Sequence, residues 1–204
     1  MTRRSPLALA VLALLFEEPL HPYGMQRRIT ERGKDRVVYV GQRATLYKTI
    51  ERLHRDGLIE PRETSRDAGR PERTIYQITA SGRETVLGWE REMLSAPREE
   101  FPELPAAVAH LTLLDADDVR RQLEARRDGL EMQLAEQRKA VATSPGGLPR
   151  VFLLEEEYLA AVLQAELTWV GSVIDELDDG RISWTAESLA ALAARFNPPI
   201  LKDD

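Results

Sequence analysis

The chain has 204 residues, 43% hydrophobic and 30% charged, a composition that predicts a globular, soluble protein rather than a disordered one. It has no cysteine, which excludes disulfides, thiolate metal sites and cysteine nucleophiles, and its three histidines (His21, His54, His110) are too far apart to suggest a metal site. The formal net charge of −6, taken whole, argues against a nucleic-acid partner.

That charge is a sum over unlike halves. Residues 1–83 carry 16 Lys/Arg against 10 Asp/Glu, net +6, whereas residues 84–204 carry 12 against 24, net −12. The asymmetry predicts an N-terminal part that faces nucleic acid and a remainder with another task. Pro97 and Pro102 break helix on either side of a joint, so the expected domains are 1–95 and 96–204. The longest apolar stretch, residues 7–16, is about half the ~20 residues a bilayer needs. Arg3 and Arg4 before it imitate a signal peptide, but Glu17-Glu18-Pro19 follows with no small-residue cleavage site. The expectation is a cytoplasmic protein with no membrane partner.

In chain order, Ser5-Pro6 reads as an N-cap and first-turn proline opening a helix over 6–16. Pro22 opens a second helix, which runs to about Arg32 and is ended by Gly33. Residues 34–41 read as irregular, with Val37, Val38 and Val40 a short extended piece. A third helix spans about 42–56, stopped by Gly57. Residues 59–64 and 73–79 then read as a hairpin around Gly69-Arg70-Pro71, and Thr79 caps a fourth helix that runs to about 94. Beyond the joint the expected helices cover 103–114, 117–142, 150–179 and 185–195, with a Pro/Gly loop at 144–149.

Three helices followed by a two-stranded hairpin is the order of a winged helix-turn-helix. Leu46, Ile50 and Leu53 make the buried stripe of the third helix. Thr45, Lys48, Arg52 and Arg55 fall on the opposite, exposed face of a 100°-per-residue wheel; Arg43 and Tyr47 flank the stripe near the N-terminus, and Gln42 opens the helix, all candidates for DNA contact. Such helices enter the major groove N-terminus first. The wing loop adds Arg66, Arg70 and Arg73, with Arg70 projected by Gly69 and Pro71 to grip backbone or enter the minor groove. A basic helix face alone is usually just solvated; face and wing together point to double-stranded DNA.

These segments resemble the PadR family of bacterial transcriptional regulators, named for a repressor of phenolic acid decarboxylase. The resemblance is carried by Leu20-His21-Pro22-Tyr23-Gly24, by Thr45-Leu46-Tyr47-Lys48-Thr49-Ile50-Glu51-Arg52-Leu53 through Ile59, and by Gly69-Arg70-Pro71-Glu72-Arg73 through Glu84. It implies repression by operator binding, often relieved by a small molecule. Two positions depart from the family pattern: Pro22 stands where glycine is usual, and Lys48 where the reading helix usually has proline.

In the second half, Val119, Leu123, Leu130, Leu134 and Val141 recur at spacings of eleven, a narrow stripe on a charged helix that needs one apolar partner. The following helix is apolar on more than one face. Leu154, Tyr158, Val162, Trp169, Val173 and Leu177 are its expected dimerisation residues, since one intrachain neighbour cannot cover them all. The fold class is therefore mainly α with a small β hairpin: an N-terminal winged helix-turn-helix and a C-terminal antiparallel helical dimerisation domain. A monomeric bundle is the alternative.

Trp89, Phe101, Tyr158 and Trp169 are candidates for stacking on a small aromatic effector, though ordinary packing explains large rings equally well. Nothing reads as catalysis or as a cofactor site. Glu155-Glu156-Glu157 points three ways around a helix, and there is no phosphate loop or nucleophile elbow. The expected function is a dimeric repressor on an inverted-repeat operator. The alternatives are a constitutive DNA-binding protein without effector and a winged-helix scaffold that binds protein.

Overall fold

A computed structural model describes residues 4–38, 43–65, 73–142 and 148–196. The chain divides into two compact units, Met1–Glu99 and Glu100–Asp204.

The first unit is built around α1 (Pro6–Glu17). Ser5 caps it, its Oγ accepting from the Ala8 N–H at 3.2 Å, and Pro6 takes the first helical position, where its missing N–H costs nothing. Leu7, Ala8, Val11, Leu12, Leu14 and Leu15 are all buried. A helix apolar on so much of its surface has to be enclosed, and α2 (Pro22–Glu31), α3 (Arg43–Arg55), β1 (Ile59–Ser65), β2 (Arg73–Ile78) and α4 (Ala80–Ser95) supply that enclosure. His21 caps α2, its ring Nδ1 accepting from the Gly24 N–H at 2.6 Å, so Pro22 occupies the same tolerated first-turn position as Pro6. The arginines of α2 turn back onto acidic residues. Arg32 holds Glu17 with two bonds of 2.7 Å, Arg28 pairs with Glu18, and Arg27 meets Glu31 one turn on at 2.6 Å.

Residues Lys34–Arg36 form a 3-10 turn, Val37 after it has helical rather than extended backbone, and Val38 is buried in the core; Val40 lies outside the described residues. Gly57 follows α3 with φ +71°, the left-handed conformation that ends the helix and that a side chain would strain.

The two strands pair antiparallel, Ile59 opposite Ile78 and Ser65 opposite Arg73, with a bulge at Pro61/Glu63. Leu20 adds a one-residue third strand. It exchanges both backbone hydrogen bonds with Tyr76 at 3.0 Å each, tying the α1–α2 link to the hairpin. Thr79 locks the start of α4: its hydroxyl donates to the Gly57 carbonyl at 2.8 Å and accepts from the Gly82 N–H at 3.0 Å. Gly82 lies so close to this junction that a Cβ would stand 2.1 Å from the Leu58 carbonyl oxygen.

The second unit contains α5 (Glu103–Val108), α6 (Ala116–Ala142), α7 (Leu154–Asp178) and α8 (Ala186–Phe196). The single helix expected over 103–114 stops at Val108 and continues as a 3-10 turn at Leu111–Leu113. The reason is the next helix: Asp115 accepts from the Asp118 N–H at 2.7 Å to cap α6, so the chain must leave helical geometry before it. Likewise a 3-10 turn at Arg150–Phe152 precedes α7.

Helices α6 and α7 pack antiparallel. Val119, Leu123, Leu130, Val170 and Ile174 form a buried seam, and Leu163, Leu167, Val173 and Leu177 lean on it. Leu134 is also buried, so four of the five stripe positions expected on α6 are covered, and Val141 is half-buried. Polar ties run along the edges: Arg126 to Glu166 at 2.6 Å, Gln137 to Glu156, and the Trp184 indole N–H to the Leu114 carbonyl at 3.0 Å.

Candidate nucleic-acid interface

The third helix has two sides of opposite character. Leu46, Ile50 and Leu53 are 0–2% exposed and anchor α3 against α1. On the solvent side Thr45, Tyr47, Lys48 and Arg55 are all exposed, Tyr47 by 47% in spite of its ring. An exposed tyrosine beside a lysine on the N-terminal half of a helix is a surface suited to phosphate oxygens and base edges. Thr49 turns inward and is buried, its hydroxyl donating to the Thr45 carbonyl at 2.9 Å.

Arg52 departs from the expectation. The wheel puts it on the groove-facing side, yet it is half-buried, and its Nη2 donates to Ser5 Oγ at 3.4 Å. Its Nε is buried with no hydrogen-bond partner among the described residues. The wheel fails because it knows only angle. Near its C-terminal end α3 runs beside the start of α1, and a long side chain there meets protein instead of water.

Gln42, Arg66 and Arg70 lie outside the described residues. Arg43 begins α3 and Arg73 begins β2, but their side chains also lie outside that set.

His54, on the far end of α3, supports the hairpin: its Nδ1 donates to the Ile59 carbonyl at 3.1 Å, and its ring meets that of Tyr76 edge-on at 6.0 Å. Burial, with the nearby Glu51 carboxylate adding to it, pushes the Tyr76 phenol above its ordinary range and keeps it neutral. Hydrogen bonding to Arg32 holds the Glu17 carboxyl below its usual value. Arg27, Arg28 and Arg32 are engaged with carboxylates, whereas Lys48 and Arg55 of α3 face solvent.

The candidate ring and interface residues divide among several environments. Trp89 packs against the core of the first unit. In the second unit Phe101 is 88% exposed, and Leu154, Tyr158, Val162 and Trp169 all lie exposed along α7. Val173 and Leu177 lean instead on the α6–α7 seam. Intrachain packing thus accounts for these two residues, which were expected in pairing.

Sequence reasoning missed the Leu20–Tyr76 bridge and the inward turn of Thr49. The first had a readable signal. Glu18 and His21 each precede a proline and are biased toward extended backbone, which leaves Leu20 between two extended positions.

Among the described residues no group of His, Asp or Glu is arranged to hold a metal, and no helix is long and apolar enough to cross a membrane. A helix-turn-helix followed by a β-wing, with a basic and aromatic reading face, defines the winged-helix class of DNA-binding regulators. Residues 11–87 match the transcriptional regulator PadR-like family. The structure of Bacillus subtilis PadR in complex with operator DNA is similar with a TM-score of 0.68 at 15% identity, covering 85% of this chain and 99% of that one. The same protein in complex with p-coumaric acid gives 0.64 at 14% identity over 86% and 99%. The PadR-like regulator BC1756 from Bacillus cereus gives 0.58 at 18% identity over 85% and 99%. At these identities the likeness is one of fold, and at this coverage it extends into the helical unit. No curated protein matches the sequence.

Proposed function

We propose that the protein is a repressor that binds an inverted-repeat DNA operator as a homodimer and is released by a small aromatic effector. The observation that carries this reading is the exposed Thr45–Tyr47–Lys48 surface of α3, held over a fully buried Leu46–Ile50–Leu53 stripe beside a two-stranded wing. A helix so anchored offers its N-terminal half to a major groove. The wing loop, with Arg66, Arg70 and Arg73, contributes backbone or minor-groove contacts.

Pairing uses the side of α7 opposite the seam. Leu154, Tyr158, Val162 and Trp169 cluster within about 80° of its circumference, with Ala161 and Ala165 between them, and all six are exposed. A single chain leaves this side uncovered, and a second copy would supply a matching surface. Two reading helices about 34 Å apart would then meet successive major grooves. The effector reading draws on the fold shared with a regulator whose structure includes p-coumaric acid. It assigns stacking to Phe101, Tyr158 and Trp169, the exposed rings of the second unit.

The test is to select fragments bound by the purified protein from genomic DNA, footprint them, and measure the stoichiometry by sedimentation. Two symmetric half-sites and two chains per site support the reading. A single half-site removes the dimeric operator. If Lys48→Ala combined with Arg70→Ala leaves both affinity and its salt dependence unchanged, the winged helix binds protein instead. Tryptophan fluorescence titrated with planar phenolic acids tests the effector; a flat response across the panel leaves a constitutive DNA-binding protein.

A further inference from the structure

Ser5 has two tasks in the first unit. Its Oγ accepts from the Ala8 N–H at 3.2 Å, which caps α1, and also from Arg52 Nη2 at 3.4 Å. Both acceptor positions of the hydroxyl are thereby used. The second bond joins the N-terminus of the central helix to the reading helix, 47 residues further on. One turn earlier Thr49 is buried, and the next residue, Leu53, is fully buried, so Arg52 stands at the rim of the α1–α3 contact. Its side chain is half-buried and its head reaches Ser5, a usual way for arginine to close an interface. The buried Nε, without a hydrogen-bond partner among the described residues, marks a cost in hydrogen bonding at this position.

We infer that Arg52 is a positioning residue, one that fixes the rotation of α3 on α1 through Ser5 and so sets where Thr45, Tyr47 and Lys48 meet the bases, without touching DNA itself. The inference rests on the DNA-binding reading above. Rotation matters because a base contact depends on direction, whereas a phosphate contact tolerates small displacements. Loss of Arg52 therefore lowers the discrimination between operator and unrelated DNA more than it lowers general affinity.

The experiment compares the full-length protein with Arg52→Met, Ser5→Gly and the double variant, measuring affinity for the selected operator and for unrelated DNA over a range of salt. Arg52→Met keeps the apolar stem. Ser5→Gly removes the acceptor while retaining most of the helix-capping preference. The expected result is a loss of about tenfold in the operator-to-unrelated ratio for each single variant, no further loss in the double variant because the two act as one unit, and an unchanged salt slope. Arg52→Lys, which can still reach Ser5 Oγ, should recover part of the ratio, and circular dichroism of each variant checks folding. A residue that merely stabilised the unit would leave the ratio of the folded protein intact, and that result overturns the inference. So does a fall of about one in the salt slope of Arg52→Met, the mark of a lost phosphate contact. If the wild-type protein shows no salt-dependent DNA binding at all, the DNA reading fails and this inference falls with it.

Discussion

The two units solve the same problem, burying apolar surface, to different degrees. In the first, sixteen buried side chains form the core, six of them on α1, and the rim is closed by polar locks: Ser5 on α1, His21 on α2, Thr79 on α4 and the Leu20–Tyr76 bridge. In the second, the seam between α6 and α7 buries five clustered residues, while Leu154, Tyr158, Val162 and Trp169 stand in solvent. The first unit is complete within one chain; the second is complete only on one side of its longest apolar helix. The difference teaches that apolar surface is fully enclosed where several elements surround one helix, and stays partly open where two long helices share a single seam.

The largest effect should follow from spoiling that open surface. Tyr158→Glu with Val162→Glu introduces like charges at a two-fold contact and leaves the intrachain seam untouched. Sedimentation should show monomers, and operator affinity should fall by about 10²–10⁴ through loss of the second, linked half-site. If these variants remain dimeric, the asymmetry between the units has another meaning.

Next in size is a test of how tightly the first unit is closed. Gly82→Ala places a Cβ 2.1 Å from the Leu58 carbonyl oxygen and 2.7 Å from Ile78 Cγ1. Backbone cannot yield as a flexible side chain would, so a loss of about 3 kcal/mol is expected in urea unfolding of this unit. Gly88→Ala on the same helix, with open space around it, is the control and should be neutral or slightly stabilising.

A smaller change separates recognition from architecture. Lys48→Ala removes an exposed cation with no packing role, so stability should stay within about 0.5 kcal/mol. The slope of log affinity against log salt should fall by about one.

The smallest concerns the ion pair that joins the ends of α1 and α2. Arg32 holds the Glu17 carboxyl below its ordinary value, so the pair contributes stability above the unfolded carboxylate range. That contribution is lost as pH falls through the lowered folded value. Both partners are substantially exposed, and the contribution is about 0.5 kcal/mol or less. Comparing wild type with Glu17→Gln in urea titrations between pH 3 and 7 should show the difference shrinking toward the acid end.

The features legible in the sequence were those set by local rules. Proline and serine at 5–6, Gly57 and Thr79 each marked an element boundary that the structure keeps within a residue or so, because caps and left-handed glycines depend on only a few neighbouring residues. The Leu46–Ile50–Leu53 stripe and the α6 stripe were equally readable, since helical period fixes which residues share a face. The break at Val108 was not, because the Asp115 cap competes with an otherwise continuous helical pattern.

Of the candidate DNA-contacting residues, Thr45 and Lys48 keep the exposure that the wheel gave them, Tyr47 is exposed although it flanks the buried stripe, and Arg52 does not keep its expected exposure. By itself the sequence determined the elements, their apolar faces and the separation of a basic from an acidic half. Only the tertiary structure decided which arginines of the basic half turn outward. Arg28 and Arg32 are drawn to Glu18 and Glu17, and Arg52 to Ser5, because charge on a long side chain goes to the partner that the folded chain brings near. Those partners lie 10, 15 and 47 residues away, beyond the reach of any local rule.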